Sequence, residues 1–156
     1  MNSIIENYYG VFTEYQALRS QLLDMLTDQD LAVKIDGNPS LGELCRENGE
    51  VERSYIDSFK TLKQDFDYRS ETPGIAARVD KLRSWYAELD AELREVIEGF
   101  SEEDVREKII DRGFQVRIQT QLTIYNEALL IFYGKTSVYL KMLGKPLTEQ
   151  WLAWIA

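Results

Sequence analysis

The sequence predicts an all-α protein, a four-helix bundle with a short extra helix between the third and fourth long helices. Three observations predict it: apolar residues recur at heptad-like spacing in four long segments, no segment alternates as a strand does, and helix start and stop signals punctuate the segments. Amphipathic helices joined by modest connectors bury such faces together only as a bundle. The chain has 156 residues and no linker, repeat or low-complexity tract, so residues 1–156 are expected to form one domain with a sizeable core.

The first helix is expected from the stripe Ile4, Tyr8, Val11, Tyr15, Leu18, Leu22 and Met25, ending near Thr27-Asp28. A polar connector follows through Pro39, with one turn of helix around Leu31. The second helix opens on a capping box, Ser40 with Glu43, whose side chains satisfy two orphan donors of the first turn. Its stripe is Leu41, Leu44, Asn48, Val51, Tyr55, Phe59 and Leu62, with Asn48 the polar exception on the seam.

Thr72-Pro73 is expected to open the third helix, with Thr72 as cap and Pro73 in the first turn. The stripe there is the most regular: Ile75, Val79, Leu82, Tyr86, Leu89, Leu93, Val96 and Phe100. A second capping pattern, Ser101 with Asp104, predicts a short helix to about Ile110. Asp111-Arg112-Gly113 then breaks it, leaving 113–118 extended or irregular. The fourth helix carries Leu122, Tyr125, Leu129, Phe132, Thr136, Tyr139 and Leu143, and stops at Gly144 with Pro146 beyond. A second row, Ala128, Ile131, Val138 and Met142, is expected to widen its buried face. The tail from Thr148 is too short for a helix of its own, and its two tryptophans either fold back or join a subunit interface.

Composition excludes several function classes. The formal charge is −9, from 27 acidic and 18 basic side chains, without a Lys/Arg-rich run. A nucleic-acid or anionic-membrane partner needs the basic footprint this chain lacks. The longest apolar run, Ala128 to Tyr133, is far below the roughly 20 residues of a membrane span. MNSIIENYYG has no basic and apolar leader pattern, and the lone cysteine suits a reducing compartment, so a cytoplasmic protein is expected. With no histidine anywhere, Ser-His-Asp and Cys-His mechanisms are excluded. Cys45 has no histidine to form its thiolate and reads as a buried structural residue.

Two motifs bear on family. One is Pro39-Ser40-Leu41-Gly42-Glu43-Leu44, followed by Glu47 and Val51-Glu52; the other is Gly134-Lys135-Thr136-Ser137-Val138-Tyr139-Leu140-Lys141-Met142-Leu143-Gly144. Together with the element order, they resemble the DinB/YfiT-like family of four-helix bundles. The resemblance implies a divalent metal, often nickel or zinc, held by one histidine of the second helix and two of the fourth, and it implies a homodimer. Carried over through the motifs, the ligand positions are Glu47, Ala128 and Phe132. Ala128 offers no ligand, Phe132 puts a ring where an ion would sit, and one carboxylate does not hold a transition metal. The metal site is therefore expected to be lost, with no cofactor in its place. A register slip would bring Glu127 instead of Ala128, but Glu127 points elsewhere on the helix.

The candidate pocket residues are Glu47, Val51, Tyr125, Ala128 and Phe132. Glu47 reads either as a pocket carboxylate and catalytic base or as a boundary residue in water. Tyr8, Tyr9, Trp85, Tyr86, Tyr125, Phe132, Tyr133 and Tyr139 line a cavity or pack as core, with Asn48 and Glu47 the nearest partners for buried tyrosine hydroxyls. The expectation is a non-metal module that binds a small ligand or a protein. The alternatives are an enzyme related to DinB-like thiol transferases or hydrolases using Glu47, and a structural subunit of a larger assembly.

Overall fold

A computed structural model describes all residues from Met1 to Ala156. The first helix expected from the sequence is two: α1 (Ser3–Asn7) and α2 (Tyr9–Met25). Asn2 caps α1 by accepting from the Ile5 amide, and its Nδ2 donates to the carbonyls of Ile97 and Phe100. That tether fixes α1 on a distant helix end, and the backbone leaves the helical region at Tyr8 (φ −126°, ψ −40°). The break resets the register of α2. Tyr9, Phe12, Gln16 and Arg19 face inward, whereas Val11, expected in the core, is 57% exposed.

The single turn α3 (Asp28–Leu31) carries its own capping box from Thr27 and Asp30. The long helix α4 (Leu41–Thr61) starts as expected: Ser40 Oγ accepts from the Glu43 amide at 3.1 Å, and Glu43 Oε2 accepts from the Ser40 amide at 2.6 Å. The third long helix, α5 (Val79–Glu98), begins later than Thr72-Pro73 suggests. Gly74 takes a left-handed conformation, Ile75–Ala77 form a 3-10 turn with Ile75 buried, and Asp28 Oδ1 accepts from the Val79 amide at 2.8 Å. A carboxylate from α3 thus satisfies the N-terminus that Thr72 was expected to cap.

Short α6 (Glu102–Glu107) has the expected Ser101–Asp104 box but ends before Ile110. Ile110 lies instead in a two-stranded antiparallel hairpin, β1 (Ile109–Asp111) with β2 (Gln115–Arg117), pairing Ile110 with Val116. The hairpin is a correction to the sequence reading, and its cause is tertiary. Asp111 exchanges backbone hydrogen bonds with Leu62 and Gln64 beyond α4, at 3.0 and 2.8 Å. Helix α7 (Ile118–Met142) follows at once and stops where the sequence says, with Gly144 at φ 67° and the Lys145 amide donating to the Leu140 carbonyl. The tail also departs from expectation: it forms a helix, α8 (Glu149–Trp154), capped by Thr148. Trp151 is fully buried and its Nε1 donates to the Leu18 carbonyl at 3.0 Å, so the tail folds back.

The molecule is mostly helical, with one hydrophobic core among the four long helices. Helices α2 and α4 each pack against both α5 and α7. Helix α4 approaches its neighbours closely: a Cβ on Gly49 would lie 2.3 Å from the Trp85 ring of α5, and one on Gly42 only 1.8 Å from the Ala76 carbonyl oxygen in the 3-10 turn before α5. Because α7 is covered by α2 and α4 alone among the long helices, its second apolar row is not buried as expected. Ile131, Val138 and Met142 are 61%, 55% and 53% exposed, and only Ala128 of that row packs against the core. No helix is long and apolar enough to cross a membrane.

Candidate functional site

Two helical stripes face each other across the α4–α7 contact. Leu44, Glu47, Asn48 and Val51 come from α4, and Ala128, Ile131, Phe132 and Lys135 from α7, each set at i, i+3, i+4 and i+7. The stripes do not close on each other, and Ala128 presents only a methyl group to the seam. They enclose a cleft of about 160 Å³. Leu44, Val51, Ala128 and Phe132 form an apolar wall, Ile131 stands at the mouth, and the polar groups are Glu47, Asn48 and Lys135.

Of the residues singled out in the sequence, Glu47, Val51, Ala128 and Phe132 meet at this cleft. Tyr125 does not line it. It is fully buried, with its ring 5.8 Å from Phe12 and 4.9 Å from Tyr55. Glu47 is exposed and also borders a larger, polar surface groove with Arg46, Glu50 and Arg69. Much of that groove's charge is already engaged, since Arg46 pairs with Glu50 at 3.5 Å and Glu50 accepts from the Ser70 amide at 3.0 Å. The positions Glu47, Ala128 and Phe132 thus present one exposed carboxylate, one methyl group and one ring. No cluster of three or more acidic, histidine or cysteine side chains is placed to hold an ion, so the residues present do not fit a transition metal.

Beneath Asn48 lies a polar cluster that the sequence did not disclose. Arg19, Glu52 and Asp90 come from α2, α4 and α5, and Arg19 and Glu52 are 1% and 0% exposed. Arg19 Nη1 lies 2.5 Å from Glu52 Oε2 and donates to Asn48 Oδ1 at 2.9 Å. Its Nη2 donates to Asp90 Oδ1 at 2.6 Å, which also accepts from Gln16 Nε2 at 2.6 Å. The guanidinium lies over the Tyr86 ring, 4.0 Å from its centroid. One cation thus serves two carboxylates. Burial, reinforced by the charge of Glu52 and opposed by Arg19, pushes the Asp90 carboxyl up to about 7. Glu52 Oε1 and the hydroxyls of Tyr9 and Tyr125 find no hydrogen-bond partner in the protein.

Three other tyrosine hydroxyls take backbone carbonyls and not the Asn48 and Glu47 side chains expected from position. Tyr86 donates to Cys45, Tyr133 to Tyr15 and Tyr139 to Pro39. Cys45 is fully buried, and burial pushes its thiol up to about 12, which leaves it protonated and inert. Asn48 and Lys135 are the polar lining residues beyond those expected for the pocket, as Leu44 and Ile131 are the apolar ones. Asn48 carried a signal as the polar break in an apolar seam, whereas Lys135 looks like any surface lysine. No protein-family model and no curated protein matches the chain.

Proposed function

We propose that the chain is a metal-free DinB/YfiT-like four-helix bundle whose α4–α7 cleft binds a small organic molecule. The observation that carries this reading is the cleft itself. It opens at the positions where the resemblance puts a metal centre, and its lining replaces two of three ligands with Ala128 and Phe132. A cavity of about 160 Å³ is close to the roughly 150 Å³ that accepts a benzene-sized ligand. The catalytic alternative has less to work with, because Glu47 stands exposed at the rim. The lone buried cysteine supports a cytoplasmic setting.

The reading includes a homodimer formed through the outer face of α7. Ile131 and Val138 are exposed there on either side of Gly134, whose Cβ position meets nothing within 4 Å. An exposed glycine inside a long helix costs about 1 kcal/mol against alanine, and a second helix crossing at that point would use the room. With two antiparallel copies of α7 crossing at Gly134, Glu127 of each faces Lys141 of the other.

Ligand-observed NMR with a fragment set tests the cleft. Wild-type protein should bind small, partly apolar fragments, and Ala128→Phe, which fills the space, should lose them while keeping its helical circular dichroism. Fragment binding that Ala128→Phe leaves unchanged, or no binding by the wild type, would refute the reading.

A further inference from the structure

We infer that the cleft selects its ligand by a hydrogen-bond acceptor, a carboxylate, seated between Asn48 Nδ2 at the floor and Lys135 Nζ at the rim. The inference rests on the reading of the cleft as a ligand site and specifies what enters it. A guanidinium has donors only, so the 2.9 Å contact from Arg19 Nη1 fixes which end of the Asn48 amide is oxygen. The oxygen faces the buried cluster, and the amino group turns toward the cavity that Asn48 lines.

Asn48 is 4% exposed, and no protein acceptor meets its Nδ2. Its Nδ2 keeps contact with solvent, so this donor opens onto the cleft, and the floor favours a ligand that brings it an acceptor. Lys135 adds charge of the matching sign. It is exposed and pairs with none of the chain's carboxylates. Glu47 has the opposite preference and, like Lys135, lies in water at the rim, so the two rim charges largely offset each other. The donor at the floor, on a side chain only 4% exposed, therefore decides. Leu44, Val51 and Phe132 leave room for a short apolar body behind the carboxylate. Arg19 acts as a positioning residue, holding the Asn48 amide in one orientation without touching the ligand.

Titration of ¹⁵N-labelled protein with benzoate, benzamide and benzylamine tests the assignment. Benzoate should bind most tightly and benzylamine at least roughly tenfold more weakly, the ratio expected for one charge-assisted hydrogen bond. The Asn48 side-chain amide signals should move with benzoate. Lys135→Met, which removes an exposed and unpaired group, should weaken benzoate several-fold and leave benzamide unchanged. Asn48→Asp keeps an acceptor for Arg19, turns the floor into an acceptor and should reverse the order in favour of benzylamine. Benzylamine binding as well as benzoate in the wild type, or benzoate affinity untouched by Lys135→Met, would overturn the acceptor assignment while leaving the cleft a ligand site. Failure of all three probes to shift Asn48 or Ala128 would overturn both.

Discussion

Asp90 gives the protein a pH dependence that no other side chain ordinarily provides. Its carboxyl, raised by burial beside Glu52 to about 7, binds a proton more tightly in the folded than in the unfolded chain. A folded-state value above the unfolded one means that the stability it contributes is fully present below about 3.9 and is lost progressively as pH rises to about 7. Between pH 5 and pH 8 the loss amounts to roughly 2 to 3 kcal/mol, because each step of one in pH between those two values costs about 1.4 kcal/mol. The chain contains no histidine, so no other side-chain type ordinarily titrates in that window. Urea unfolding at pH 5, 6, 7 and 8 measures the effect directly. The wild type should weaken across the series. Asp90→Asn mimics the protonated carboxyl; it should flatten the profile and exceed the wild type most at pH 8. A wild-type profile that is flat or rises from pH 5 to pH 8 would refute the shared-cation account of Arg19, Glu52 and Asp90.

Two further outcomes follow from packing. Gly49→Ala should cost about 1 to 3 kcal/mol in denaturant unfolding, because its methyl would lie 2.3 Å from the Trp85 ring and force α4 and α5 apart; unchanged stability would mean that the close approach is not real. Val138→Glu puts a charge in the outer row of α7, where Val138 is 55% exposed. It should convert a dimer to a monomer in light scattering without loss of helix, and a wild type that is monomeric at high concentration would remove the dimer from the account.

Local chemistry was the most legible part of the fold. The boxes at Ser40 and Ser101 and the stop at Gly144 each involve residues within a few positions of one another, and each stands where the sequence puts it. The errors arose where distant contacts decided. Tyr8 and Tyr9 are neighbours of like character, and distant contacts, among them the tether from Asn2 to Ile97 and Phe100, accompany the burial of Tyr9. The hairpin strands are three residues each, too short to show alternation, and Asp111 is held by the chain after α4. The exposed row of α7 reflects where its neighbours lie, which the row itself cannot reveal.

The cleft was legible for a different reason. Glu47, Val51, Ala128 and Phe132 follow from helical spacing plus a resemblance carried by local motifs, and both act along one helix at a time. Tyr125 shares the heptad register of Phe132, but it lies two turns before it on α7, in the aromatic core. The Arg19–Glu52–Asp90 cluster draws one residue from each of three helices, so no spacing in the sequence announces it. Its consequence for the site runs through Asn48, the polar residue that did stand out.

An organic-ligand site and a metal centre at the α4–α7 cleft differ most plainly in what the purified protein carries. Elemental analysis separates them, on protein purified without an affinity tag from cells supplied with nickel, zinc and manganese. Because Glu47, Ala128 and Phe132 offer a single carboxylate there, all three metals should be far below one per chain. Near-stoichiometric nickel, zinc or manganese, lost on Glu47→Ala, would contradict the organic-ligand reading.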